Sequence, residues 1–244
     1  MRTDQMRLLM IKSAPIVLAV DTNDLETAKQ WVSATDGVIS VVKLGLEFYL
    51  NFGTDGVKAI ADSCQTDIFL DLKLHDIPHT VAGAARAVSN LRPKFLTVHA
   101  SGGSAMVAAA VEAMPSTQIT GVTILTSLSE NDVEAIGFRS HALDSAVGLA
   151  TIAVNGGARA IVCSPLEILA IREVVGSEVT IITPGVRPKD VAANDDQVRT
   201  MTPREAIDRG ANLVVIGRPI TASFAQGSAA MRERAIEIAE HILN

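Results

Sequence analysis

A regular alternation of short apolar runs with helical stretches constrains this chain more than any other feature. Apolar runs at 16–20, 39–42, 68–70, 95–98, 119–125, 160–163, 179–182 and 213–216 read as strands. Helical spacing follows each of them: from a cap at Asp24 through Leu25, Ala28 and Trp31, then over 47–50 with 56–63, 81–91, 104–114, 131–136 with 142–155, 165–175, 203–209 and 228–243. Pro165 suits the first position of its helix, where a missing N–H leaves nothing unpaired. Strands joined through such crossovers pair in parallel. Eight strand–helix units in 244 residues predict an α/β fold, a (β/α)8 or TIM barrel forming a single domain. The competing architecture, a doubly wound open sheet, carries a glycine-rich turn after its first strand, where this chain reads Asp21-Thr22-Asn23-Asp24. The barrel is expected over 15–244, with 1–14 as a loose extension.

Composition narrows the function classes. Aromatic residues make up 3% of the chain, so the core is built from Ala, Val, Ile and Leu, as suits parallel strands under Ala-rich helices. The same scarcity removes the stacking platforms of a single-strand nucleic-acid binder, and a net charge of −6 disfavours a polyanion partner. Cys64 and Cys163 show no metal-ligand spacing, and a reduced, cytoplasmic setting is expected. No apolar run approaches the roughly 18 residues that span a bilayer. The run 8–11 is too short for a signal-peptide core, so a soluble protein with no membrane partner is expected.

Polar or special residues close nearly every strand: Asp21, Lys43, Asp71 with Lys73, His99, Thr126, Ser164, Arg187, and Gly217 with Arg218. A single polar strand end is a solvated end. The whole series points to a common mouth, because the C-terminal ends of barrel strands converge on the face that carries active sites. Thr183-Pro184-Gly185-Val186-Arg187 and Gly217-Arg218-Pro219 follow strands seven and eight, where this fold grips phosphate. Glycine lets backbone N–H groups approach an anion, and arginine adds bidentate bonds. The polar stretch 190–200 between these loops is a candidate lid, with Gln197 as its neutral donor. His99, a lone strand-end histidine, is read as structural.

Lys43, Asp71, Lys73 and Asp76 bring cations and carboxylates of alternating sign to one rim. Asp71 and Lys73 lie two apart in an extended strand and project to the same side. Alternation pairs each charge, so the array stays ionised while partly buried. A substrate carboxylate entering it is repelled; loss of CO2 relieves the repulsion, and the neighbouring ammonium protonates the carbanion. A salt bridge capping the strand, a Schiff-base aldolase and a metal-assisted enzyme use the same residue types and stay open on these residues alone. So does a non-catalytic phosphate-binding barrel.

Asp71-Leu72-Lys73-Leu74-His75-Asp76-Ile77-Pro78, followed by Thr80, resembles the DxKxxD signature of the orotidine 5′-phosphate decarboxylases. The resemblance extends through Val17-Leu18-Ala19-Val20-Asp21, Lys43-Leu44-Gly45, Val98-His99-Ala100-Ser101-Gly102-Gly103 and Val122-Thr123-Ile124-Leu125-Thr126-Ser127 to the two arginine-bearing loops, and covers 15–243. DxKxxD is shared with sugar-phosphate decarboxylases and synthases, including metal-dependent 3-keto-hexulose-phosphate enzymes; the paired Pro-Gly-x-Arg and Ile-Gly-Arg-Pro segments sharpen the match. The resemblance implies decarboxylation of orotidine 5′-phosphate to UMP, the last step of de novo pyrimidine synthesis, with no cofactor and no metal. It implies Lys73 as proton donor to C6 of the pyrimidine and Asp71 as the group that stresses the substrate carboxylate and holds Lys73. Asp21 and Lys43 fall on the ribose hydroxyls, with Lys43 also part of the catalytic array. Thr126 falls on the pyrimidine edge, and Arg187, Gln197, Gly217 and Arg218 on the phosphate. A homodimer is implied, with Asp76 and Thr80 entering the partner's site and Asp76 completing its charge array. His79 departs from the family pattern, which usually has Asn there.

Overall fold

The computed structural model describes residues 13–188 and 201–244. Its strands are β1 (Ala14–Ala19), β2 (Ile39–Gly45), β3 (Asp67–Leu74), β4 (Phe95–His99), β5 (Gln118–Val122), β6 (Ala160–Val162), β7 (Thr180–Thr183) and β8 (Leu213–Ile216). They close in chain order into a barrel, each paired in parallel with the next and β1 with β8. Around them run α1 (Leu25–Thr35), α2 (Leu46–Ala61), α3 (Pro78–Val88), α4 (Ser104–Ala113), α5 (Glu130–Ala135), α6 (Ala142–Asn155), α7 (Ile168–Val175), α8 (Pro203–Asp208), α9 (Arg218–Thr221) and α10 (Ser228–Leu243). The expected (β/α)8 barrel is the observed fold. Of the expected extension, 1–12 lie outside the described residues, and Ala14 opens β1.

Two apolar layers follow from the two-residue period of a strand. Val17, Val41, Phe69, Phe95, Ala160 and Ile182 fill the barrel interior, with the Phe69 and Phe95 rings edge-to-face at 5.6 Å. Their neighbours Ile16, Leu18, Val42, Leu44, Ile68, Leu70 and Leu96 point outward into the larger layer beneath the helices. The same parity carries upward. Two residues beyond Val41 is Lys43, two beyond Phe69 is Asp71 and then Lys73, and two beyond Phe95 is Thr97. The site is the upper continuation of the interior layer.

Local chemistry sets the helix starts. Asp24 caps α1 by accepting the Thr27 N–H at 2.6 Å. At α8 the Thr202 hydroxyl accepts the Glu205 N–H at 3.2 Å while Glu205 accepts the Thr202 N–H at 2.8 Å, with Pro203 in the first turn.

Several boundaries differ from expectation. β2 and β3 run past Lys43 and Lys73, so these charges lie within strands and not beyond their ends. β5 stops at Val122 because its partner β6 stops at Val162, and Thr126 sits in a turn where the Leu128 N–H bonds Leu125 O at 3.0 Å. The helix expected from Pro165 begins at Ile168, since Ser164, Pro165 and Leu166 form a turn held by the Glu167 side chain. The two pieces expected over 47–50 and 56–63 form one stretch, α2, broken by the non-helical Gly53.

Candidate active site

Asp71 is the centre of the mouth. It lies in the middle of β3 with 8% exposure. Its Oδ1 takes the Lys73 ammonium at 2.7 Å and a hydrogen bond from the Thr97 hydroxyl at 3.1 Å, and its Oδ2 faces Lys43 Nζ at 3.3 Å. Lys43 in turn reaches Asp21 Oδ1 at 3.5 Å. The chain Asp21–Lys43–Asp71–Lys73 therefore alternates in sign across β1, β2 and β3. Burial pushes the Asp71 carboxyl up, but Lys43, Lys73 and the hydrogen bonds from Lys73 and Thr97 outweigh it and hold Asp71 below its ordinary value. The carboxylate stays ionised, and an anion placed against it meets a fixed negative charge.

The backbone is shaped to the same end. Lys73 has φ of +48°, a left-handed conformation rare for any residue with a Cβ. The β3–β4 pairing slips between Leu70 and Leu74, and the Lys73 N–H bonds the Thr97 side chain at 2.8 Å. Gly45, two residues above Lys43, leaves the ammonium its space: a Cβ there would stand 3.2 Å from Lys43 Nζ and 3.6 Å from Asp21 Oδ1.

The remaining expected residues divide into two groups. Asp76 does not join the array of its own chain. It is exposed in the turn before α3, where its Oδ1 accepts the Ile77 N–H at 2.6 Å. Pro78, the first residue of α3, fixes that turn, and Thr80 is exposed in the first turn of the helix. The other group lines the opposite rim. Gly185 has φ of +79°, a turn that favours glycine, and carries the chain to a half-buried Arg187, whose N–H bonds Met201 O at 3.0 Å. Gly217 follows β8, and the exposed Arg218 opens α9. Thr126 is exposed in the turn after β5. Gln197 and the whole candidate lid 190–200 lie outside the described residues.

Pattern reading passed over two polar residues. Thr97 is fully buried inside β4 and bonds both Lys73 and Asp71. Glu167, in the turn after β6, is a buried carboxyl. His99 stands with His75, ring centroids 5.4 Å apart. Burial, then His75 and Lys73, hold His99 below the usual histidine range against the pull of Asp71.

Comparison with known proteins agrees with this geometry. Residues 14–233 match the model of the family described as "Orotidine 5'-phosphate decarboxylase / HUMPS family". A protein of Thermobifida fusca named orotidine 5'-phosphate decarboxylase is 54% identical over 218 residues, covering 89% of this chain and 93% of that protein. One of the same name from Frankia casuarinae is 43% identical over 234 residues, covering 89% and 85%. Among solved structures, orotidine 5'-phosphate decarboxylase from Lactobacillus acidophilus superposes with a TM-score of 0.78 at 32% identity, covering 93% of this chain and 99% of that one. The chain belongs to the orotidine 5'-phosphate decarboxylase / HUMPS family.

Proposed function

We propose that the protein decarboxylates orotidine 5′-phosphate to UMP, closing de novo pyrimidine synthesis without a cofactor or metal. One observation carries the reading: an ionised, buried Asp71 is held at 2.7 Å from the Lys73 ammonium inside an array of alternating charge. The substrate carboxylate on C6 comes to lie beside Asp71. Two like charges 4 Å apart at an effective dielectric near 20 repel by about 4 kcal/mol. The C6–carboxylate bond breaks, its electron pair stays on C6, and CO2 leaves. Lys73 then gives a proton to C6, and solvent returns one to its amine. The charges are in place before reaction, so they stabilise the developing carbanion with little reorganisation.

Asp21 and Lys43 hold the ribose hydroxyls, Thr126 the pyrimidine edge, and Arg187, Gly217 and Arg218, with Gln197, the phosphate. Asp76 and Thr80 serve the site of a second subunit in a homodimer. Their exposure, beside an Ile77 that is 65% exposed, supports that arrangement. The setting is the cytoplasm; no helix among the described residues is long and apolar enough to cross a membrane.

The test is turnover of orotidine 5′-phosphate, followed by pyrimidine absorbance, in the presence of a chelator. Undiminished turnover is expected. Turnover of a 3-keto-hexulose phosphate that chelation abolishes, with orotidine 5′-phosphate untouched, overturns the proposal in favour of the metal-dependent branch.

A further inference from the structure

The link from β3 to α3 is His75, Asp76 and Ile77, and all three residues are exposed. Asp76 Oδ1 takes the Ile77 N–H at 2.6 Å, a bond inside the link. Ile77 O accepts the Val81 N–H at 3.1 Å, which ties that end to α3. At the other end the His75 ring reaches across to β4. Its centroid stands 5.4 Å from that of His99, with the planes tilted by 41°, the spacing and tilt of a packed aromatic pair.

Strand register brings the two rings together. β3 and β4 pair Leu70 with Leu96 and next Leu74 with Val98, so β3 spends two more residues than β4 over that step. The surplus is the slip in which Lys73 takes its left-handed φ of +48°. Pairing resumes at Leu74 and Val98, and the next residues on the two strands are His75 and His99. Thr97 accepts the Lys73 N–H within the slip, and His99, two residues on, meets His75 just above it. β4 therefore holds Lys73 through Thr97, and the start of the link through His99. An imidazole suits so exposed a place, because its face packs while its nitrogens stay in water.

Asp76 follows His75 directly, so a displaced His75 backbone displaces the Asp76 carboxylate. A charge array acts only at its built distances, and small misplacements of such groups cost activity steeply.

We propose that His75 is a positioning residue: its ring, packed on His99, sets the place of Asp76 and so acts in the site of the second subunit and not in that of its own barrel. The inference rests on the shared-site homodimer proposed above.

The test has two parts, both on full-length protein and both reading kcat/KM for orotidine 5′-phosphate. In homodimers, His75→Ala and His99→Ala should each lower kcat/KM by about fivefold, the size of one aromatic pair, and the double variant no further. His75→Phe, which restores a ring, should return to within about twofold of wild type. The second part assigns direction. Lys73→Ala and Asp76→Asn subunits refolded together form a mixed dimer in which one site is intact, built from Lys73 of the Asp76→Asn subunit and Asp76 of the Lys73→Ala subunit. His75→Ala added to the Lys73→Ala subunit should lower the activity of the mixture by about fivefold. Added to the Asp76→Asn subunit, it should leave that activity within about twofold.

The two arrangements alter a two-fold interface equally, so a merely structural role of His75 moves both alike. His99 also lies within electrostatic reach of Lys73 and Asp71, and an effect through those groups would fall on the Asp76→Asn arrangement. Equal losses, loss in that arrangement alone, no loss in either, losses that multiply in the double variant, or a His75→Phe enzyme as poor as His75→Ala would each overturn the inference. Where His99→Ala fails to fold, the variants of the exposed His75 decide. If the mixture without His75→Ala regains no activity, the shared-site reading has failed and the inference falls with it; regained activity with the wrong direction fails the inference alone.

Discussion

The backbone N–H of Lys73 donates to the Thr97 side chain at 2.8 Å. The same hydroxyl donates to Asp71 Oδ1 at 3.1 Å, so one residue on β4 fixes both partners of the 2.7 Å ion pair. Lys73 holds a left-handed φ of +48°, a conformation that costs a residue with a Cβ roughly 1–2 kcal/mol. The Thr97 hydroxyl gives its N–H an acceptor where the β3–β4 ladder slips. Thr97→Val keeps the shape and removes the hydroxyl. It should lower kcat/KM by about 10- to 100-fold, the equivalent of losing one hydrogen bond to a charged group. Thr97→Ser should recover most of that loss. A Thr97→Val enzyme with wild-type kcat/KM would refute the positioning role.

Asp71 makes a prediction about acid stability. Its folded-state pKa is lowered from 3.8, net of a burial effect that acts the other way. A carboxyl depressed by folding contributes stability that is complete above its unfolded value and disappears as pH falls through its folded value. Urea unfolding of wild type and Asp71→Asn should thus show a stability gap that is constant around neutral pH and shrinks below about pH 4. A gap that widens on acidification contradicts this account of the site.

Glu167 has the opposite sign. Burial raises it from 4.5 to about 7, so the folded state holds its proton more tightly than the unfolded chain. Its contribution is complete below the unfolded value and is lost as pH rises towards 7, at most about 1.4 kcal/mol for each pH unit crossed. Glu167→Gln, which cannot titrate, should flatten the dependence of unfolding free energy on pH across that window. An unchanged slope would mean that another group is responsible.

The parts of this molecule that were legible in the sequence are those governed by a period. Strand parity carries Val41 to Lys43 and Phe69 to Asp71 and Lys73, and the charges are visible because they interrupt runs that are otherwise apolar. The two arginine loops were legible because glycine marks the turns before them. Thr97 escaped because threonine is a good strand former, and its type alone does not separate a packing role from a bonding one. Glu167 escaped because proline at 165 reads as a helix start, and a glutamate two residues on then looks like an ordinary first-turn acid. Its bond to Ser164, which holds the turn and delays α7 to Ile168, is tertiary information.

Asp76 yields the last prediction. It is exposed, it bonds the Ile77 N–H at 2.6 Å, and it makes no ion pair among the described residues of its own chain. If it serves a partner's array, Lys73→Ala and Asp76→Asn damage different subunits of the same site. Each homodimer should be nearly inactive. In a mixed dimer, one site combines both lesions, while the other joins an intact Lys73 to an intact Asp76 from the partner. Two closed, symmetric variants unfolded together in urea and refolded at equal amounts should form about half mixed dimers. About a quarter of all sites are then intact. Activity should rise from near zero to roughly a quarter of wild type on co-refolding, and should not rise when the two variants are mixed after separate refolding. If Asp76 acts within its own chain, no combination contains an intact site, and the co-refolded mixture stays as inactive as its parents.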